Sequence, residues 1–413
     1  MILQSVEPIF QMLVRDFVNR QLYDKAAGYF AARVGIHRLS APIDFQSLRG
    51  QYEYLARVDA LYEANEAGQE SWHTPAEILR PFYGRAIARC ALEALDRKDL
   101  GVGGLTIVEA GGGNGTLMRT ILDHLREDTE AVYDRTSYHC VDISDAMLGR
   151  QRQQASDGGH SDRVHFHHSS FLTWDGVKRG LLKQPGQAVV VLATEVLDNL
   201  AHDKVVYGQD GSCFETRVRV EPSGHMHEEF LPVQDPLILD CLAHMPRPTL
   251  AAASSPSSWF GRLFARAVPA AKEAFVPTGA LQFLRAVQQI APDRLILADF
   301  HSLPDTIDQV SRSGSRVPNA PVVQRRSPSG GSGSVACSTY LVPMGHYDIF
   351  FPTDFGWLQR VHNARPHQLA PQVLNQPDFL RRFLSPQDLL LGQTRSGFNP
   401  LLEDYLNVSF FMT

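Results

Sequence analysis

LTIVEAGGGNGTLMRTILDHL, residues 105–125, is the stretch from which the fold is read. Leu105, Thr106, Ile107 and Val108 make a short aliphatic and β-branched run suited to a buried parallel strand. Leu117, Met118, Ile121, Leu122 and Leu125 then recur at helical spacing, so the implied order is strand, glycine turn, helix. Gly111, Gly113 and Gly115 let the backbone turn tightly and bring its amides near a ligand. They do so at a helix N-terminus, where orphan N–H groups and the dipole favour a carboxylate or phosphate.

Details around the glycines narrow the ligand. A dinucleotide fingerprint wants Gly or Ala three residues after its second glycine, and the chain has Thr116 there, which disfavours a nicotinamide cofactor. Glu109 before the loop and the spacing Gly111-x-Gly113-x-Gly115 instead resemble the first motif of class I S-adenosylmethionine (SAM) methyltransferases. One helix further on, TSYHCVDIS reads as a second strand ending in Asp142, placed to accept hydrogen bonds from two ribose hydroxyls. The competing reading, a glycine turn in an α/β protein with no ligand, loses ground because both acids are in step with the loop.

At 413 residues and 46.0 kDa the chain suits one large α/β domain with insertions, or two domains. A net charge of −6 and a pI near 6.2 give no electrostatic reason to expect nucleic acid as a partner. The five cysteines are odd in number, scattered and without a CxxC pair, which speaks against a disulfide scaffold or zinc ribbon. No apolar run reaches the roughly 18 residues of a spanning helix, so no transmembrane segment is expected. Arg15 and Arg20 lie near the N-terminus, but Glu7 and Asp16 spoil the acid-poor composition of a transit peptide.

In chain order, residues 1–100 read as a helical flank or lid. Residues 101–203 form a Rossmann-like cofactor core: after Asp142 come a helix capped by Ser144 or Asp145, a third strand in RVHFHHSSF with Ser170 at its end, and a fourth in QAVVVLATEVL. His165 and His167 share one face of the third strand, and with no further ligand in view, solvation or adenine-side contact outranks a metal site. Glu195 and Asp198 follow the fourth strand, where ligands of open parallel sheets bind, and are the catalytic candidates. Against that stands a solvated helix start, which also favours acids. Residues 204–290 read as an insertion of antiparallel strands, then a helix SWFGRLFARAV acting as lid or core cover, with contact to a membrane or a partner helix as the alternative. Residues 291–413 resume the sheet at Arg294–Phe300, with a disordered loop at 311–334 and a helix starting at Asp354.

The order of these pieces resembles the MidA-type family of class I methyltransferases, whose mitochondrial members include a protein arginine methyltransferase serving complex I assembly. LYDKAAGYF (22–30) and HTPAEILRPFYG (73–84) match the family's two N-terminal patterns. VEAGGGNGTL (108–117) matches its SAM loop, ATEVLDNL (193–200) its acidic motif and YDIFFPTDFGWL (347–358) its C-terminal pattern. VPTGALQFLRAV (276–287) and TYLVPMGHYDIFFPTDF (339–355) look closest to a fungal mitochondrial branch. The resemblance implies an α/β class I methyltransferase fold and SAM as cofactor, held by Glu109, Gly111, Gly113, Gly115, Thr116, Asp142 and Ser170. It also implies a protein substrate with an arginine acceptor, such as a respiratory complex subunit, a mitochondrial matrix location, and Glu195 as the guanidinium clamp with Asp198 beside it. Departures fall mostly on the acceptor side: Thr194 stands for the family's asparagine, and Val196 and Leu197 for its aromatics, while Gly112 and Asn114 replace a proline and an arginine in the loop. They keep open a small-molecule or other-residue methyltransferase, and an assembly protein that has lost its chemistry.

Overall fold

The computed structural model describes residues 10–32, 34–36, 39–63, 70–98, 103–182, 185–208, 210–246, 272–307, 317–326, 334–364 and 369–413. Its centre is a seven-stranded sheet. From one edge the order is Val164–His168, Ser137–Asp142, Gly104–Ala110, Gln187–Thr194, Arg294–Phe300, Val408–Met412 and Gln372–Asn375. The first five run parallel, as their register shows (Val108 opposite Val191, Ile296 opposite Leu192), and Val408–Met412 enters antiparallel. Gly104–Ala110 is buried at every position, as expected of a strand covered on both faces. On one face Phe82–Arg97 and Thr116–Asp128 pack Ile87, Cys90, Ala91, Met118 and Leu122 onto Leu105 and Ile107. On the other, Thr278–Ile290 sets Leu281, Phe283 and Leu284 against Val108, Val191 and Leu297.

The chain leaves Gly104–Ala110 toward one edge and then crosses back to Gln187–Thr194 on its other side. That reversal opens a crevice at the carboxyl ends of these two strands, where open α/β sheets bind ligands. The expected antiparallel insertion is a five-stranded sheet in which Cys213–Val220 pairs with Asp203–Tyr207, Met226–Pro232 and Phe10–Leu13, and Lys272–Val276 pairs with Asp203–Tyr207.

Two expectations need correction, and two strands come in addition. The N-terminal flank is not all helical: Phe10–Leu13 is a strand of the insertion sheet, and Val34–Ile36 pairs with Glu70–Trp72. The segment 311–334 is not one disordered loop, since Val322–Arg326 pairs with Ser334–Ala336 and Asp348–Phe350, and Val323 is wholly buried. Its flanking Gly and Ser hid a short strand that has a partner far along the chain. Val408–Met412 and Gln372–Asn375 complete the main sheet, and neither strand was foreseen. The helix read over 258–268 lies outside the described residues. No described helix is long and apolar enough to cross a membrane.

Candidate active site

The glycine loop begins where Gly104–Ala110 ends. Gly111, Gly113 and Gly115 all have left-handed φ (67°, 51° and 80°), so the turn needs residues without a Cβ. A Cβ on Gly111 would stand 2.8 Å from Val196 Cγ2, and one on Gly115 would stand 3.0 Å from the Gln151 Cα. Gly115 also ends the turn as N-cap of Thr116–Asp128, which aims the first amides of that helix at the loop.

Two acids flank it as expected. Glu109 is buried and accepts the Tyr138 hydroxyl at 3.0 Å; burial pushes its carboxyl up to about 7, and that hydrogen bond only partly offsets the rise. Asp142 is raised by burial too, opposed by the Ser144 N–H at 2.9 Å and Gln151 Nε2 at 3.0 Å. Gln151 Nε2 also donates to the Gly113 carbonyl at 3.0 Å, so a single amide ties the second acid to the loop. Its Oε1 is buried without a hydrogen-bond partner.

The loop forms one wall of a recess shared by Thr74, Ala76, Glu77, Asn114, Thr194 and Glu195. The recess is small, about 60 Å³, and Asp142 lies outside its lining. Thr116 lines it and donates to Glu77, which also accepts the Leu39 N–H at 2.7 Å. Glu77 and Thr74 are site residues that sequence reasoning did not single out, although HTPAEILRPFYG was visible as a pattern. Ser170 does not line this recess; its hydroxyl accepts the Leu172 N–H and caps the turn Phe171–Thr173.

Glu195 and the glycines therefore meet, although they are far apart in sequence. Glu195 begins no helix: it has a left-handed φ of 54°, and its N–H donates to the Ala298 carbonyl at 2.9 Å. The alternative of a solvated helix start is thereby removed. Three residues on, Asp198 is 7% exposed and its Oδ1 is buried with no hydrogen-bond partner. Asp299, fully buried, accepts the N–H groups of Leu197 (2.8 Å), Asp198 (3.1 Å) and Phe300 (2.7 Å), and so holds the 195–198 loop in shape. Burial, then the neighbouring charge of Asp299, holds Glu195 well above the usual carboxylate range. Asp198 is raised by burial first and then by Asp299, Asp348 and Glu195. Asp299 itself rises to about 7 through burial. Tyr23 closes the site from the flank, its hydroxyl donating to the Asn199 carbonyl at 2.9 Å.

The predicted histidines lie apart from this centre. His139 Nδ1 and His167 Nε2 are 3.0 Å apart, the His165 ring lies tilted at 4.8 Å from the His139 ring, and burial lowers His139 to about 3.

A mostly parallel sheet whose one antiparallel strand lies near its edge, with a left-handed glycine turn between two buried acids, defines a class I methyltransferase. The positive-φ glycines, the buried acids and the unsatisfied Gln151 Oε1 fit a nucleoside-bearing cofactor such as SAM. A family model described as "Putative S-adenosyl-L-methionine-dependent methyltransferase" matches residues 86–370, and the chain belongs to that family. A COG1565 superfamily member from Burkholderia thailandensis, solved with S-adenosyl-homocysteine, aligns with a TM-score of 0.58 at 16% identity. That alignment covers 97% of this chain and 87% of that one. A native structure of a COG1565 superfamily protein from the same organism aligns with a TM-score of 0.56 at 16% identity, with the same coverage. At these identities the two share a fold with this chain. A comparison with curated proteins found no match.

Proposed function

We propose that this methyltransferase modifies arginine in a protein, in mitochondria and in support of respiratory complex assembly, as the sequence resemblance implies. The observation that carries the arginine reading is the crowding of Glu195, Asp198 and Asp299 at the ends of two adjacent strands, with Asp198 Oδ1 lacking a partner. Carboxylates that raise one another gain most from a cation placed among them. A planar guanidinium offers a fork of N–H donors to two of them at once.

When bound, SAM supplies a methyl group on a sulfonium. The chain supplies position and a proton acceptor. Arginine has a pKa of about 13 and an ordinary carboxylate about 4, so prior deprotonation is uphill by about 12 kcal/mol. The guanidinium proton therefore leaves during or after C–N bond formation. Glu195, lining the same recess as the glycine loop, clamps the guanidinium and takes that proton as it leaves. Asp198 is the second arm of the clamp. Fixing one nitrogen toward the methyl is worth about 7–11 kcal/mol of the barrier.

The test is labelled SAM with a mitochondrial extract, followed by identification of the modified residue. Glu195→Gln keeps the shape and removes the charge, so methylation is expected to fall at least about a hundredfold while SAM affinity stays near that of the parent. Near-normal turnover by this variant, or a product other than methylarginine, refutes the reading.

A further inference from the structure

A second and larger recess, of about 560 Å³, lies beyond the carboxyl end of Arg294–Phe300. It is bounded by Ser302 and Leu303, the turn Val317–Ala320 and the segment Pro352–Gly356. Leu303, Val317 and Phe355 give it an apolar wall. Thr353 also lines it; the residue is 7% exposed, and its Oγ1 is buried without a hydrogen-bond partner. A buried hydroxyl without a partner in the fold calls for one, whether water, an ion or a ligand. The turn opposite is held in place by Asn319, which has a left-handed φ of 55° and donates to the Phe275 carbonyl at 3.3 Å.

This recess is stitched to the carboxylate centre. The Phe351 N–H donates to the Asp198 carbonyl at 2.7 Å, and the Thr353 N–H to the Phe300 carbonyl at 2.8 Å. Pro352 and Thr353 then form part of the recess wall. Two residues span at most about 7 Å, so the wall begins within one or two peptide units of the loop that carries Asp198. A volume of 560 Å³ is also far more than a guanidinium needs, and lies in the range of about 300–1,000 Å³ that buries a whole ligand.

We infer that this recess holds the polypeptide flank of the acceptor. An apolar side chain one or two residues from the modified arginine packs against Leu303, Val317 and Phe355, and a peptide group of the same segment pairs with the Thr353 hydroxyl. The inference rests on the arginine reading and deepens it: a free guanidino metabolite leaves the recess unused, whereas a peptide in extended form fills it. Selectivity for sequence around the arginine then resides in walls contributed by Leu303, Val317 and Phe355, not in the carboxylates.

The experiment uses the full chain, labelled SAM and a library of nonapeptides with a fixed central arginine and randomised flanks. The parent is expected to select an apolar residue at one flanking position. Ser302→Trp, at an exposed rim position, fills the mouth; it should flatten that selection and raise KM for the preferred peptides at least tenfold with kcat little changed. Thr353→Val, nearly isosteric, should raise KM severalfold in the same way. SAM affinity by calorimetry should match the parent in both variants, which separates a blocked recess from a damaged fold; should Ser302→Trp lose SAM binding, Thr353→Val decides alone. Unchanged flank preference and KM in the variant that keeps SAM binding, beside a parent that does methylate the arginines, overturns the recess assignment and leaves the arginine reading standing. A parent that methylates no arginine in the library overturns both.

Discussion

Replacing Asp142 by Asn tests the cofactor assignment at its most constrained point. Asp142 Oδ1 accepts the Ser144 N–H at 2.9 Å and Oδ2 accepts Gln151 Nε2 at 3.0 Å, while the same Nε2 reaches the Gly113 carbonyl at 3.0 Å. An asparagine can keep one of these bonds by presenting its oxygen, but its NH2 then faces another donor. If Gln151 turns over to receive that NH2, its oxygen meets the Gly113 carbonyl. Every arrangement leaves one buried pair mismatched, at about 1–3 kcal/mol, and the turn loses its tie to the second strand. If Asp142 holds the ribose as the sequence leads one to expect, the cofactor in addition loses a charged acceptor worth about 1.5–3 kcal/mol, which is roughly a 10- to 150-fold weaker Kd. Calorimetric titration of SAM into parent and variant, at a temperature where melting curves show both folded, measures it. The ionised carboxylate is the better acceptor, so parent affinity should also weaken as pH falls. Equal affinities in two equally folded proteins refute the ribose role and leave Asp142 only the task of holding Gln151.

Two further substitutions probe other parts of the argument. Gly111→Ala forces a side chain into a left-handed backbone, at about 1–2 kcal/mol, and pushes on Val196 beside Glu195; unlike Glu195→Gln it should weaken SAM binding about tenfold as well as slow methylation, and calorimetry showing only the second effect would contradict the shared geometry. Asp388 receives Arg85 at 2.8 Å, Arg89 at 2.7 Å and the Ser385 hydroxyl at 2.7 Å. Burial alone would raise it, but these bonds outweigh burial and hold it at about 2, below its ordinary 3.8. The shift corresponds to about 2.4 kcal/mol, discounted to about 1–2 because both arginines are partly exposed. A depressed carboxylate contributes fully above its unfolded pKa and loses the contribution as pH falls toward its folded one. Asp388→Asn should therefore cost about 1–2 kcal/mol at neutral pH, with the gap to the parent closing between about pH 4 and 2 in denaturant melts. A gap that is the same at every pH argues against it.

The sheet and the cofactor loop were legible because their signals are local. Leu105–Val108 and Gly111–Gly115 declare strand and turn within a dozen residues, and Asp142 stands at the end of the next strand. Glu195 and Asp198 could be placed at a strand end for the same reason. What the sequence does not display is long-range. Glu77 matters because the flank folds back over Thr116, and Asp299 because its carboxylate gathers the amides of Leu197 and Asp198 from the neighbouring strand's loop. Val322–Arg326 is a strand only through partners on either side, so composition alone reads it as a loop.

The helix Phe82–Arg97 buries Ala86, Ile87, Cys90 and Ala91, and Cys90 lies against Met412, 322 residues later. At about 5–20 residues per second, a ribosome takes roughly 16–64 s to deliver the second partner after the first. For that interval the outer part of this apolar stripe has no permanent cover, and over its last third, once Arg294–Phe300 has been made, the edge that will pair with Val408–Met412 is open as well. Synthesis of this enzyme therefore includes a waiting period in which a sticky helix and an unpaired strand edge coexist. That is a demand for holding chaperones set by the order of the strands, and independent of how stable the finished sheet becomes.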